Sequence, residues 1–513
     1  MEASPVRTDT DASPRHRQLE DTLDRIGVTG AHRQIGAMVL LGVFFDALEQ
    51  NAVGLVGPVL QESWGTTAAE LGFLNTVTFT AAALGRLTTG IIGDKLGRRT
   101  MLTVNLLLFS LGALICAFAP VYTVVAIGRF VVGFGLGGEI AIAVTMMSEF
   151  FAARHRGSAV GIINVTAGGL GNMLAPGFGV AVFTVFSGPD RWRWLFGMLA
   201  VPALLVLFYR RFVPETPRYL LSRGKVDEAN LVLNRLASGR LRGKLEQPQR
   251  FITAVESGER VEPERNRLRD VFAGALGRRT LSLGVAVCMS YGAQISVLSL
   301  MPTILVAQGY SITKSLLFTL IMQSGSLLGA LAASTAARYI PRKVVLTVAA
   351  GLGCAAAFCF GFLASGVVLV LVFGAAFNCC VIMLNTTIWI FAPEQFPTRV
   401  RAFGTSIILA LGSLAGGLTP ILAGAAFDWY GVAGMFTLLG VLFVGLAISV
   451  QFPPETFGRS MEETAENQQE AEKGYRRPPI SAAGSASPAA DTSAATPAAA
   501  DTPAPDTGEE DGK

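Results

Sequence analysis

Asp46 and Glu49 stand three residues apart in a stretch that is otherwise apolar from about 34 to 60, and a helix puts both on one face. Arg129 and Glu139 interrupt a second apolar stretch at about 122–150, and Arg86 a third at about 68–92. At the centre of a helix in hydrocarbon, a charge costs about 2.5–3.5 kcal/mol on insertion scales, so it faces a cavity, a partner or a proton. A carboxylate that gains and loses either a proton or a guanidinium couples protons to movement; one held permanently against Arg is a static ion pair. Both readings are open for Asp46, Glu49 and Arg129, with proton coupling in the lead, while Glu139 is a further coupling candidate that faces either the first span or the cytoplasmic half of the cavity. Ten residues separate Arg129 from Glu139, about 15 Å along a helix, so those two do not form one tight pair. Arg86, one turn before Gly90, reads as an interfacial or cytoplasmic-end residue rather than an anion ligand.

The elements that must position these charges are membrane helices. Apolar runs fall at roughly 34–60, 68–92, 100–119, 122–150, 157–186, 192–212, 279–306, 314–339, 343–363, 366–392, 402–426 and 431–452. Such runs exceed the ~18 residues that mark a spanning helix, and backbone in lipid must satisfy its own hydrogen bonds. Composition agrees: 513 residues, 51% hydrophobic, 15% charged, 57 glycines and a mean hydropathy of +0.49. The expected fold is an all-α membrane protein with twelve transmembrane helices in two pseudo-symmetric six-helix bundles. A net charge of only +4, carried in the links, gives no support for nucleic-acid binding. Cys116, Cys288, Cys354, Cys359, Cys379 and Cys380 all fall in apolar runs without a CxxC spacing, which reads as packing and not as a metal or redox site. No cofactor is expected. The polar first 33 residues lead to the expectation of no cleavable signal peptide.

The chain divides into an N-terminal tail (1–33), a first bundle (34–212), a charged central loop (213–278), a second bundle (279–452) and a mostly disordered, Pro/Ala/Ser/Thr-rich tail (453–513). Lys and Arg concentrate in the links after spans 2, 4, 8 and 10, whereas the alternate links are acidic or neutral apart from that between spans 5 and 6, with Asp190, Arg191 and Arg193. Basic links stay inside, so both termini and the central loop are expected in the cytoplasm. The halves repeat. Gly93-Asp94 through Arg98-Arg99 returns 244 positions later as Ala337-Arg338 through Arg342-Lys343, and Glu149, Arg154 and Arg156 return as Glu394, Arg399 and Arg401, shifted by 245. Pro214-Glu215-Thr216 returns as Pro454-Glu455-Thr456, shifted by 240. Two halves of this kind place a substrate site near the midplane between them.

These residues resemble the major facilitator superfamily over roughly 34–463. Gly93–Arg99 matches its signature between spans 2 and 3, and Gly128-Arg129 through Gly138-Glu139 is similar to the span-4 motif of its proton-coupled porters. Pro214–Leu221 and Pro454–Gly458 resemble sugar-porter signatures, while Pro393-Glu394-Gln395-Phe396-Pro397-Thr398-Arg399 is similar to porters of niacin, aromatic acids and related metabolites. Asp46-Ala47-Leu48-Glu49 resembles the Asp-Gly-x-Asp of aromatic-acid:proton symporters, with Ala and the longer Glu departing from that pattern. The resemblance also implies that Arg129 partners the acid on span 1, and that Gln294 binds substrate.

Asn164, Tyr291, Asn378, Asn385 and Trp389 join Gln294 as candidate cavity residues, each also readable as a helix–helix contact. Asp94, Arg98, Glu149, Arg154, Arg156, Glu394, Arg399 and Arg401 read as a structural or orienting set, or as a cytoplasmic gate made and broken during transport. The leading function is a proton-coupled symporter of an aromatic or other organic acid, or of a sugar, monomeric in the cell (inner or plasma) membrane. The alternatives are a proton-driven exporter of hydrophobic compounds and a transporter-like sensor that moves nothing. An enzyme is not expected: His16, His32 and His155 all fall outside the spans.

Overall fold

Thr67 opens one of the long helices with a reciprocal cap: the Glu70 N–H donates to its hydroxyl at 3.2 Å, and its own N–H donates to the Glu70 carboxylate at 2.7 Å. In the computed structural model of the chain, residues 14–204, 211–243, 248–253, 271–272, 274–364, 366–396 and 400–457 are described. Arg399, the Asp94 side chain and the tail beyond 457 lie outside the described residues. Among those described, every regular element is helical.

A short helix, α1 (Pro14–Ile26), precedes the first span, α2 (Gly30–Trp64). Then come α3 (Ala68–Leu96), α4 (Arg98–Ala117) and α5 (Tyr122–Phe150). The fifth span is α6 (Ala153–Asn164), a π-helical stretch at Val165–Gly171 and α7 (Asn172–Val185). The sixth begins as α8 (Arg191–Leu199), passes into a 3₁₀ turn at Val201–Leu204 and lies partly outside the described residues. Two short helices, α9 (Pro217–Ser222) and α10 (Val226–Ser238), follow in the central segment. The second half holds α11 (Gly274–Ala307), α12 (Ile312–Ala336), α13 (Arg342–Leu363), α14 (Val367–Glu394) and α15 (Arg401–Ser449). α15 contains two spans that meet at Gly431, whose φ of 66° turns the chain back where a side chain would strain it. Among the described residues nine helical stretches are long and apolar enough to cross a membrane, that double one counted once.

Each half has its own packing. Phe360, Phe377, Phe436 and Phe443 stack in the core of the second half. In the first half, α5 lies so close to α3 that a Cβ on Gly137 would run into the Ala82 carbonyl oxygen. Glycines therefore set the helix spacing, as small residues do in lipid. Between halves, contact is made at the end away from the chain termini. There a Cβ on Gly54 would strike the Leu298 carbonyl oxygen, Gly72 sits against Ile421, Gly179 against Leu316, and Thr76 donates to the Gly417 carbonyl at 2.7 Å.

The polar stretch 1–33 holds more than a tail. α1 buries Leu19 and Leu23, one helical turn apart, in the same core as Leu220, Leu233 and Leu236 of α9 and α10. Asn230 and Asn234 of α10 clasp the backbone of Ile252 and Gln249, each donating and accepting once. The Thr29 hydroxyl donates to the Leu236 carbonyl at 2.7 Å, which fastens this cap to the start of α2.

Candidate functional site

Charge burial is deepest where α2, α3 and α5 meet. Glu49 and Arg129 are both fully buried, and the Arg129 guanidinium donates to Glu49 Oε1 at 2.5 Å. Arg129 Nε donates to the Thr78 hydroxyl at 3.1 Å, and the guanidinium lies 6.0 Å from the Phe196 ring centroid. Glu49 Oε2 has no hydrogen-bond partner, so the carboxylate is compensated on one oxygen and bare on the other.

Asp46 lies one turn away with a different neighbourhood. It is fully buried and accepts from Gln50 Nε2 at 3.3 Å, while Oδ1 has no partner. Glu139 of α5 is also fully buried with both carboxyl oxygens unpartnered, and it stands within electrostatic reach of Asp46. The four coupling candidates thus divide into the Glu49–Arg129 ion pair and the Asp46–Glu139 neighbourhood. Arg86 does more than the sequence reading gave it: it is 92% buried, and it reaches out of its own half to donate to the Leu409 carbonyl at 2.9 Å and the Ser413 hydroxyl at 2.7 Å, both on α15. Its charge is also felt by Asp46.

Beside these charges a cavity opens between the halves. Its walls include Gln50, Asn164, Asn172, Tyr291, Gln294, Asn385 and Trp389. The cavity volume is about 50 Å³, several times the ~10–15 Å³ that one buried water needs. Five of the six candidate cavity residues line it. The exception is Asn378, which is buried and donates to the Gly374 carbonyl of its own helix at 2.9 Å, a local role. Asn385 donates to Gln294 at 2.8 Å and accepts from Ser290 at 2.9 Å, so α11 and α14 present one linked amide edge. Across the cavity the π-helical stretch lies between Asn164 and Asn172, and such stretches, rare in helices, recur at functional sites. Asn172 accepts from Asn51 at 2.9 Å, which ties this wall to α2. Gln50 has no charge to mark it in the sequence, yet it joins the Asp46 carboxylate to the cavity wall; the signal is its place four residues after Asp46 on one face.

The gate candidates sort differently from their order in the chain. Glu149 pairs with Arg98 at 3.2 Å and accepts from the Thr216 hydroxyl at 2.5 Å. Arg154 and Arg156 are not its partners: Arg154 meets Asp24 and Arg156 meets Glu20, both on α1. Glu394 repeats the arrangement, with Arg342 at 3.2 Å and the Thr456 hydroxyl at 2.5 Å. Arg401 turns its Nε to the Phe396 carbonyl at 3.2 Å. Two further glutamates belong to the set. Glu215 accepts the backbone N–H groups of Arg98 and Arg99, and Glu455 those of Arg342 and Lys343, so the two cap the first turns of α4 and α13. Burial, the largest influence, pushes the Glu215 carboxyl above its ordinary range against the pull of the Arg99, Thr216 and Arg98 N–H groups. At Glu455 burial pushes the same way, but four N–H groups, from Lys343, Phe457, Thr456 and Arg342, outweigh it and hold the carboxyl low.

A family model described as "Sugar (and other) transporter" matches residues 37–467. Among curated relatives, a niacin transporter of Acinetobacter baylyi is 31% identical over 86% of this chain and 99% of its own. A gallate transporter of Pseudomonas putida is 27% identical over 84% of this chain and 94% of its own. Among solved structures, the xylose transporter XylE of E. coli in a partially occluded inward-open conformation aligns with a TM-score of 0.66 at 19% identity, covering 84% of this chain and 99% of that one.

Proposed function

We propose, from the premise that the chain belongs to the sugar (and other) transporter family of the major facilitator superfamily, that it is a proton-coupled symporter of a small organic metabolite working by alternating access. Membership alone makes it a multi-pass membrane transporter with a small-molecule substrate, and not an enzyme. The observation that carries the finer reading is the fully buried Glu49–Arg129 ion pair next to a polar cavity between the halves. A carboxylate at this depth needs a cation or a proton. When rocking of the halves loosens Arg129, Glu49 takes a proton from the cavity; when Arg129 returns, the proton is released on the other side.

The substrate is an aromatic or other organic acid, or a sugar. Niacin and gallate, for which two relatives are named, are planar rings bearing a carboxylate. The cavity offers amides, a Tyr and a Trp, and among the described residues its lining holds no Lys or Arg. A carboxylate entering it would be met by neutral donors, and a ring by Trp389 and Tyr291. The termini and the central segment face the cytoplasm, because the basic links lie on that side. The contacts at the opposite end then make this an inward-facing arrangement. A monomer suffices, since both halves of the cavity come from one chain. The test is solute accumulation in liposomes under an imposed pH gradient, against the same protein without one. Accumulation without any dependence on the gradient would contradict proton coupling.

A further inference from the structure

Arg86 has no place in the coupling scheme above, yet it is a buried charged side chain that joins the two halves. Its two described acceptors on α15 are neutral, and its Nε has none. Those acceptors leave its positive charge uncancelled. Asp46, with one oxygen bare, lies within its electrostatic reach, and Glu139, with both bare, lies within that of Asp46. Two carboxyls and a guanidinium therefore share one desolvated region without a direct described bond between them. Neutral acceptors hold the cation, while the acids stay uncompensated.

We propose that Arg86 alternates between two partners: the Leu409 and Ser413 acceptors of α15 in the present state, and the Asp46–Glu139 carboxyls in the opposite state. The transfer ties protonation of those carboxyls to the separation of α3 from α15. This deepens the proton-coupled reading and rests on it. In the present state the carboxyls hold protons. When α15 withdraws, Arg86 loses its acceptors and turns to the acids. The O–H bond of one carboxyl breaks, its proton passes to water in the cavity beside Gln50, and the guanidinium supplies the compensating charge. The reverse step returns the proton to the carboxyl and Arg86 to α15. Low pH therefore favours the present arrangement, and high pH the opposite one.

The charged groups facing this region are few. Glu49 comes from α2 and Arg129 from α5, and these already pair with each other. The fifth span between 157 and 185, and α15 between 402 and 427, contain no Asp, Glu, Lys, Arg or His. Cys116 of α4 lies on the far side, within reach of the Glu49–Arg129 pair. A pH response of the α3–α15 contact thus traces to Asp46, Glu139 and Arg86, which favour the present arrangement at low pH, or to Glu49 with Arg129. The Glu49–Arg129 pairing in the present arrangement favours it at high pH, so the sign of the response tells the two apart.

The experiment separates these. Nitroxides are placed at the exposed positions Phe73 of α3 and Trp429 of α15, as Phe73→Cys and Trp429→Cys in a cysteine-free background. Their distance distribution is followed from pH 5 to 9, beside pH-driven uptake in liposomes. In the parent the short-distance population rises as pH falls. Arg86→Gln removes that dependence, and Arg86→Lys restores part of it. Ser413→Ala, which deletes one acceptor of the present state and touches no carboxyl, lowers the midpoint by about one pH unit, the worth of one charge-assisted hydrogen bond. An Arg86→Gln protein that keeps the parent's pH response, or an unmoved midpoint in Ser413→Ala if Arg86→Gln does not fold, reduces Arg86 to a tether and overturns the proposal. A parent that shows no pH-driven uptake overturns the coupling reading instead, and this inference with it.

Discussion

Arg98 and Arg342, 244 positions apart, make the same ion pair: each donates at 3.2 Å to a glutamate at the end of a spanning helix, Glu149 and Glu394. In both halves a threonine hydroxyl and a backbone-capping glutamate complete the arrangement. The repetition ties the end of the fourth helix, the start of the third and the segment after the sixth into one unit per half.

That unit gives the first prediction. Glu149→Gln keeps the shape but removes the charge that Arg98 meets. It is expected to cost about 1–3 kcal/mol, as for hydrogen bonds to charged groups. Transport should fall severalfold while membrane insertion stays intact, and Glu394→Gln should do the same. The melting temperature in detergent, read beside uptake, checks both. Full uptake at a lowered melting temperature would leave a structural clamp without a gating role.

The pH response of the capping glutamates differs in sign. The Glu455 carboxyl is held low in the folded chain, so its contribution is present above the ordinary carboxylate pKa and is lost as pH falls through the lower folded value. The Glu215 carboxyl is raised, so its contribution is full below the ordinary value and is lost as pH rises through the folded one. The melting-temperature gap between parent and Glu455→Gln should therefore shrink from pH 7 towards pH 4, while the gap for Glu215→Gln should widen. Gaps that move together would contradict the assignment.

The cavity edge supplies a third. Asn385→Ala breaks the chain from Ser290 through Asn385 to Gln294 and should weaken substrate binding about tenfold, the equivalent of ~1.4 kcal/mol. Asn378→Ala, on the same helix but turned to its own backbone, should leave affinity unchanged. A thermal-shift screen of sugars, aromatic acids and other carboxylates finds the ligand, and titration of both variants then tests the contrast.

The buried ion pair predicts a fourth. Arg129→Ala strands Glu49 and is expected to destabilise by about 3–5 kcal/mol, more than Glu49→Gln. Adding Glu49→Gln to Arg129→Ala should recover a large part of that loss. Thermal unfolding of the three variants checks the order. Additive losses in the double variant would mean that the two side chains do not act as a pair.

Much of this was legible in the residues. Glu49 and Arg129 are conspicuous because hydrocarbon tolerates so few charges, and their depth in the runs fixes them within the membrane. The amides facing the cavity are less conspicuous, and Gln50 is missed altogether because a neutral side chain in a run bears no mark of what it touches. Arg86 is read short because its distance from Gly90 suggests only a helix end, whereas α3 continues to Leu96 and Arg86 reaches α15. Glu149, Arg154 and Arg156 look like one cluster in the chain. The reversal between Phe150 and Ala153 sends the two arginines to α1 instead, and only the fold brings Arg98 round to the glutamate. α1 hides for a different reason: Leu19 and Leu23 are two apolar residues in a polar stretch, and they need Leu220 and Leu233 to make a core.

In the proposed scheme, coupling rests on Glu49 exchanging Arg129 for a proton during transport. Glu49→Gln mimics the protonated acid and cannot cycle, so it separates movement of substrate from coupling to protons. In liposomes under an imposed pH gradient, the variant should lose uphill accumulation yet retain equilibrium exchange of labelled solute. Asp46→Asn should weaken accumulation less severely. If Glu49→Gln accumulates solute against its gradient as the parent does, the Glu49–Arg129 pair is a static brace and proton coupling through it is contradicted.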